Sequence, residues 1–386
     1  MTGFALYRLP YERQVTLVEQ TEGVPEELPS CRALNGRKGF VMAPFSVDSD
    51  HPIVLIRPDR VEVLEGKAAL FHEKVCHLRL ENHRFTEEKP MVSDSKTYGL
   101  QMENLWFTTQ KPMVCESRET YGADFRCFYD SLKAGQFAKL VLSRCADVPA
   151  DGQIDAFELF ENACQMYPRL FVSLTYTPRS GLWLTATPEI LLEGEGHHWH
   201  TIALAGTMRL EGTQLDGEGE GTTWSTKNIQ EQRYVATYIT NCLERLGSDV
   251  AEEGPRTARA ANLVHLRSDF TFRLQDSDCV GDILQELHPT PAVCGLPKHE
   301  AIRFILEHEH SPRQYYSGFM GPLGVHASSS FATHLYVSLR CMQILPHHYR
   351  LYAGGGLLKD SEEEQEWQET EAKMETMRAL INVPKS

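Results

Sequence analysis

Short apolar runs, separated by charged or proline-containing turns, characterise the first part of the chain. Strand-like examples are residues 39–45 (GFVMAPF) and 51–58 (HPIVLIRP). From about residue 120, longer strand and helix patterns alternate. They include 139–144 (KLVLSR), 157–167 (FELFENACQMY), 170–178 (LFVSLTYTP), 181–187 (GLWLTAT) and 200–207 (HTIALAGT). With 386 residues, the chain is long enough for one large domain or two ordinary ones.

One helix is predicted over residues 228–246. Apolar residues recur there at helical spacing, and Gly247 follows as a stop signal. Glu231 lies on the same stripe, one turn before Val235, so its carboxylate should point toward the interior. An unpaired charge is costly there. Glu231 therefore needs a cation or a proton.

A second helix is predicted to begin near Ser361, where Ser361 and Glu364 match a capping box. Its inward stripe comprises Glu366, Glu369, Lys373, Met377 and Leu380. Carboxylates without imidazole or thiolate neighbours suit a hard cation, and Mg²⁺ is the preferred ion. The spacing alone favours a plain salt-bridge network equally.

Composition limits the classes of function. The formal charge of -15 disfavours nucleic acid and anionic membranes as partners. Ten cysteines, without a C-x-x-C pair, indicate reduced thiols rather than disulfides or zinc. No secretion signal or membrane span is recognisable, so we expect a cytoplasmic protein. The glycine-rich segment 216–221 (DGEGEG) is expected to be a surface loop.

A series of short motifs between about residues 139 and 373 resembles the chorismate-using enzymes, which include isochorismate, salicylate, anthranilate and aminodeoxychorismate synthases. In chain order the motifs are KLVLSR (139–144), TATPEILLE (185–193), ALAGT (203–207), KNIQEQ (227–232), HL (265–266), LHPTPAVCGLP (287–297), R-x-x-Y-x-G-x-x-G (313–321), VSLR (337–340), YAGGG (352–356) and S-x(4)-E-x-x-E-T-x-x-K (361–373).

The resemblance implies one α+β catalytic domain spanning 1–386, of the anthranilate synthase component I type. Its core would be a β-sandwich of two sheets flanked by helices. Within it, 120–383 would carry the motifs and 1–110 would be a variable N-terminal part. This implication replaces the two-domain possibility that the length allowed.

The resemblance also assigns a site. Glu231, Glu366 and Glu369 look like the ligands of a Mg²⁺ ion that holds the ring carboxylate of chorismate. The implied substrate-binding residues are Thr207, His288, Tyr316, Arg340, Gly354, Gly356 and Lys373. Ordinary alternatives remain for several of them.

Those alternatives are structural. Arg340 could form a salt bridge at the rim, although an arginine that ends an apolar strand suits a carboxylate partner. The glycines could serve a turn, and His288, like His265, could be held by a backbone partner. The chain also departs from the family pattern: Gln232 replaces a usual histidine and Asn228 a commonly acidic residue. We expect these changes to weaken or reshape metal binding.

Lys139 and Glu189 distinguish the possible reactions. In the water-using members, a lysine at the position of Lys139 deprotonates the attacking water, and desolvation would favour its neutral form. Glu189 occupies the position of the general acid, and an apolar setting would keep its proton on. Without the resemblance, Lys139 would be interpreted as a solvated lysine at a strand end.

These residues predict an isochorismate synthase that needs no amidotransferase subunit. A salicylate synthase, which eliminates pyruvate after the same first step, is the main alternative. An inactive chorismate-binding paralogue is a weaker one. The product could serve menaquinone or siderophore biosynthesis.

Overall fold

Two large antiparallel sheets form the centre of the molecule. The computed structural model describes residues 2–64, 117–150, 152, 154–209, 223–260, 263–326 and 332–382. Each sheet has nine strands within these residues. The predicted loop at 216–221 lies outside them.

The first sheet has the order β14 (Gly295–Leu296), β7 (Lys139–Pro149), β18 (His348–Leu357), β17 (Cys341–Ile344), β9 (Gly181–Thr187), β8 (Phe171–Thr177), β1 (Gly3–Arg8), β2 (Val15–Gln20) and β6 (Arg60–Leu64). The second has the order β12 (Ser248–Ala260), β13 (Leu263–Arg273), β11 (His198–Arg209), β10 (Ile190–Glu195), β16 (Thr333–Val337), β15 (Phe319–Leu323), β4 (Gly39–Ala43), β5 (Ile53–Ile56) and β3 (Glu26–Leu28).

Helices cover the outer faces of both sheets. In the described residues they are α1 (Arg118–Lys133), α2 (Ala156–Met166), α3 (Thr226–Leu246), α4 (Val280–Leu287), α5 (Lys298–His308) and α6 (Glu363–Ile381), with short 3₁₀ turns at Cys31–Leu34 and Ser277–Cys279. Apolar side chains of α3 and α4 pack on the second sheet, and those of α2 and α6 pack on the first. Helices α1 and α5 pack together near β7.

A third apolar layer lies between the two sheets. Phe171 of β8 stacks on Tyr336 of β16 with ring centroids 4.3 Å apart. Trp183 of β9 stacks on Tyr352 of β18 at 5.4 Å, and both rings are buried. Aromatic rings fill the space between facing sheets because each buries a large apolar area. The predicted α+β sandwich with flanking helices is therefore confirmed.

The N-terminal strands are shared between the sheets. Strands β1, β2 and β6 extend the first sheet, whereas β3, β4 and β5 extend the second. The described N-terminal residues thus contribute to the common core. The division into a variable 1–110 and a motif-bearing 120–383 stays a prediction, because residues 65–110 lie outside the description.

Two sequence predictions about helices had different outcomes. Helix α3 ends at Gly247, as predicted. The capping box at Ser361 was wrong: α6 begins at Glu363, and its N-cap Glu362 makes no side-chain cap. The Ser361 hydroxyl instead accepts a hydrogen bond of 3.0 Å from the Leu358 amide, so it stabilises the preceding turn.

Candidate active site

The chain passes from one sheet to the other at two adjacent points, and a cleft lies beside them. Glu189 connects β9 to β10, and Arg340 connects β16 to β17. The two connections are joined by hydrogen bonds from the Val337 amide to the Glu189 carbonyl (2.9 Å) and from the Ala186 amide to the Arg340 carbonyl (3.0 Å). Polar side chains can therefore enter the space between the sheets without breaking either ladder of hydrogen bonds.

The cleft brings together residues that are distant in sequence. Its lining includes Glu189, Thr207, Glu231, His265, Tyr316, Arg340, Gly354, Gly356 and Lys373. They come from both sheets and from helices α3 and α6. Most of the residues predicted from the sequence to bind substrate thus border one space.

Lys139 is fully buried at the start of β7, which excludes the solvated strand-end alternative. Its Nζ lies 3.0 Å from Glu231 Oε1, so the inward-pointing carboxylate has the cation that its position requires. The contact is an ion pair without hydrogen-bond geometry. Gly356 makes room for this pair, because a Cβ there would lie 2.0 Å from Glu231 Oε1 and 2.9 Å from Lys139 Cε.

Glu189 is buried in the cleft and surrounded by cations. Burial raises the pKa of its carboxyl to about 7, although the charges of Arg340, Lys139 and Lys373 favour the ionised form. Loss of hydration therefore outweighs three favourable charges. A carboxyl with this pKa is protonated in a large fraction of molecules near neutral pH, as a general acid must be.

Arg340 is held by His265 across the cleft. Its Nη2 donates to His265 Nε2 at 2.7 Å, and His265 Nδ1 donates to the Gly206 carbonyl at 2.9 Å. Burial, then the charges of Arg340 and Lys373, lowers the pKa of His265 well below its usual value, so the ring is neutral. A neutral imidazole with one donor and one acceptor nitrogen fits both partners.

Within the described residues, Arg340 forms no ion pair with a carboxylate. Its backbone has a φ of +44°, a left-handed conformation that costs a non-glycine residue about 1–3 kcal/mol. A rim salt bridge is therefore the poorer explanation for it. The buried guanidinium retains N–H groups that can bind an anion entering the cleft.

Helix α6 presents the predicted carboxylates, and each has a lysine partner. Lys373 Nζ donates to Glu369 Oε1 at 2.6 Å and to the Gly354 carbonyl at 2.8 Å. Glu366 is buried and makes a short hydrogen bond with Lys227 of α3. Burial and the neighbouring Glu369 charge raise the pKa of Glu366 to about 7. Burial raises the pKa of Glu369, but interactions with cations, chiefly Lys373, outweigh burial. The pKa of Glu369 is therefore lower than usual.

The carboxylates offer a hard cation the oxygen ligands it prefers. Among the described residues, no three His, Cys, Asp or Glu side chains converge closely enough to hold a metal ion by themselves. However, Glu366 Oε2 is buried without a hydrogen-bond partner. A Cβ at Gly355 would lie 3.2 Å from this atom and 3.9 Å from Glu369 Oε1. One or two carboxylates suffice for Mg²⁺, which completes its shell with water and substrate, so the residues fit the ion.

The two departures from the family pattern lie at the edge of this cluster. Gln232 is buried, and its Nε2 donates to Ser268 Oγ at 2.8 Å. The backbone N–H of Asn228 donates to Ser225 Oγ, and Ser225 thereby caps the start of α3. Gln232 is thus engaged with β13, and its effect on metal affinity stays a prediction.

His288 lies apart from the residues that line the cleft. Its Nε2 donates to the Pro44 carbonyl at 2.9 Å, and its ring meets Phe319 edge-on at 4.9 Å. Burial lowers its pKa to about 3, so the ring is neutral. This geometry favours the structural alternative for His288 over contact with substrate.

Sequence reasoning missed Lys227 and left His265 undecided. Lys227, Glu231 and Val235 follow one another at four-residue spacing, which places the lysine on the inward face of α3. That signal was available. The contact between His265 and Arg340 joins residues 75 positions apart, and only the packing of the sheets reveals it.

A buried acid, a buried amine and clustered carboxylates lie around a cationic cleft whose charge is suited to a small anion. The sequence model of the chorismate binding enzymes matches residues 68–382, and the chain belongs to this family. No helix that the structure describes has the length and apolar character needed to cross a membrane.

Curated relatives match about two-thirds of the chain. It is 33% identical over 258 residues to the salicylate biosynthesis isochorismate synthase of Pseudomonas aeruginosa, covering 65% of this chain and 52% of the relative. To the isochorismate synthase EntC of Escherichia coli it is 29% identical over 245 residues, covering 63% and 62%. The alignments thus span about half to three-fifths of these relatives.

Solved structures show the same fold. The menaquinone-specific isochorismate synthase MenF of Escherichia coli superposes with a TM-score of 0.75 at 22% identity, covering 99% of this chain and 89% of that one. Anthranilate synthase component I of Streptococcus pneumoniae superposes with a TM-score of 0.60 at 18% identity, covering 93% and 82%. The predicted fold type is therefore confirmed.

Proposed function

We propose that the chain converts chorismate to isochorismate. The observation that carries the proposal is the combination of a fully buried Lys139 and a Glu189 carboxyl with a pKa of about 7, interacting at one cleft. A buried amine can accept a proton and a neutral carboxyl can donate one. The names of the relatives support the same reaction.

The cleft suits a dianionic substrate. Arg340, Lys373 and the Tyr316 hydroxyl border it, and the first two act electrostatically on Glu189. Arg340 would bind the enolpyruvyl carboxylate through two parallel hydrogen bonds. Tyr316 would assist, while Thr207 and the close backbone at Gly354 and Gly356 would border the ring. The overall charge of -15 does not oppose this binding, because the cations are local.

Proton transfers at two side chains complete the reaction. Lys139 takes a proton from a water molecule as the water oxygen bonds to ring carbon two. The ring double bonds shift, the bond from carbon four to its hydroxyl breaks, and Glu189 donates the proton that releases this hydroxyl as water. One water enters and one leaves, so the reaction is an isomerisation that involves no oxidation.

One or two of the carboxylates of Glu231, Glu366 and Glu369 would hold a Mg²⁺ ion, which when bound would neutralise the ring carboxylate of the substrate. The unpartnered Glu366 Oε2 supports this assignment. Because water is the nucleophile, we expect no amidotransferase subunit to be needed. We also expect the enzyme to be cytoplasmic. Its product would serve menaquinone or siderophore biosynthesis, as the names of the relatives suggest.

The direct test is to incubate purified protein with chorismate and Mg²⁺ without ammonia, and to separate the products by chromatography. Isochorismate as the product would support the proposal. Salicylate with an equal amount of pyruvate would instead identify a salicylate synthase. Unchanged chorismate over a range of pH and Mg²⁺ concentration would contradict the proposal and favour an inactive paralogue.

A further inference from the structure

The lysines around the candidate metal site balance its carboxylates one to one. Lys139 pairs with Glu231, Lys227 with Glu366, and Lys373 with Glu369. We call these six residues the lysine–carboxylate cluster. This one-to-one pairing gives each buried carboxyl group an amine partner without a metal ion.

Lys227 differs from the other two lysines in its surroundings. Its Nζ forms a hydrogen-bonded ion pair with Glu366, and its side chain is 24% exposed, whereas the side chains of Lys139 and Lys373 are 0% and 16% exposed. Lys139 and Lys373 border the reacting groups and act on Glu189. Lys227 is absent from the cations that act on Glu189.

We propose that Lys227 is an internal counter-ion that occupies Glu366 in the metal-free protein and must yield this carboxylate when a divalent cation binds. The inference rests on the metal site of the proposed function and adds a residue that sets its affinity. Lys227 would therefore weaken metal binding, whereas the carboxylates are the ligands that bind the metal.

The geometry supports competition at one carboxylate group. Lys227 holds Glu366 Oε1, while the other oxygen, Oε2, is buried without a partner and faces Gly355. Glu369 Oε1 faces the same glycine. A cation bound to these oxygens would be repelled by an ammonium on the same carboxylate, and Coulomb repulsion is strong at short range in a partly buried site. The Lys227 side chain is 24% exposed, so it can turn toward solvent.

The test measures metal binding itself, without turnover. Mn²⁺ serves as the probe for a hard divalent cation, and the EPR signal of free Mn²⁺ is followed during titration of the substrate-free protein. The measurement is made at pH 8.5, where protons compete less for carboxylates. Lys227→Met is expected to lower the Kd for Mn²⁺ at least about tenfold, which corresponds to about 1.4 kcal/mol.

Two matched variants separate local from general charge effects. Lys133→Met removes the same charge from an exposed position on α1, next to Tyr129, and should bind Mn²⁺ like the wild type. Lys227→Arg keeps the positive charge and should bind Mn²⁺ as weakly as the wild type does. Thermal unfolding of each variant verifies that it is folded before titration, and Lys227→Gln replaces Lys227→Met if the latter is not.

The outcomes distinguish the inference from its premise. Mn²⁺ binding that is lost in Glu369→Gln but is no tighter in Lys227→Met would overturn the counter-ion role and leave the metal site intact. Tighter binding in both Lys227→Met and Lys227→Arg would overturn it as well, since charge would not be the cause. Absence of Mn²⁺ binding in every variant would overturn both the inference and the proposed metal site.

Discussion

Replacing Glu189 by glutamine should change how stability depends on pH. The Glu189 carboxyl has a pKa of about 7 in the folded protein, against a usual value of 4.5. Because the folded-state pKa is raised, the stabilising contribution is complete below the unfolded value and is lost as the pH rises through about 7. At about 1.4 kcal/mol for each pH unit between the two values, the loss amounts to about 3 kcal/mol.

The assay is chemical denaturation of wild type and Glu189→Gln at intervals from pH 5 to pH 8.5, with refolding to verify reversibility. Relative to the variant, the wild type should lose about 2.5 kcal/mol of unfolding free energy over this range, because part of the loss already occurs below pH 5. The carboxyl of Glu366 also has a raised pKa, but it is present in both proteins and cancels in the difference.

The exposed Glu307→Gln on α5 provides the matched control for the loss of one carboxylate and is measured over the same pH range. A constant difference between wild type and Glu189→Gln over the same range would refute the argument. It would mean that the nearby cations keep Glu189 ionised, and that it could not serve as the acid near neutral pH.

Other predictions concern the reaction and the metal. Lys139→Ala should abolish turnover while chorismate binding, measured by calorimetry, persists; retained turnover would exclude Lys139 as the essential base. Gly356→Ala should reduce kcat at least about tenfold, because its Cβ would displace the pair formed by Lys139 and Glu231; a fully active variant would show that the pair is dispensable. EDTA should abolish activity and Mg²⁺ should restore it. Glu369→Gln should raise the Mg²⁺ concentration that gives half-maximal activity at least about tenfold. Activity that is unaffected by EDTA would contradict the metal assignment.

Helical periodicity predicted the parts of the site that lie on single elements. Glu366 is inward on α6 and Glu231 on α3, as their spacing indicated, and both are buried. A period of 3.6 residues determines which side chains share a face whatever the tertiary context. The strand that starts at Lys139 followed from its apolar pattern in the same way.

Contacts between distant elements were beyond this kind of reasoning. The pairing of Lys139 with Glu231 depends on where α3, which packs on the second sheet, lies relative to β7 of the first sheet. The contact of Arg340 with His265 depends on the spacing of the two sheets. The failed capping box at Ser361 has a local cause. A serine hydroxyl can accept a hydrogen bond either from an amide in the first turn of the helix or from an amide in the preceding turn. Here the Ser361 hydroxyl accepts from the Leu358 amide in the preceding turn.

The most direct test of the central claim, that water activated at Lys139 attacks the ring, is turnover of chorismate in ¹⁸O-labelled water without ammonia. Mass spectrometry of the isolated product should show isochorismate with one ¹⁸O atom, located at carbon two. Isochorismate without label would contradict the account, because its new hydroxyl would then have come from carbon four of the substrate.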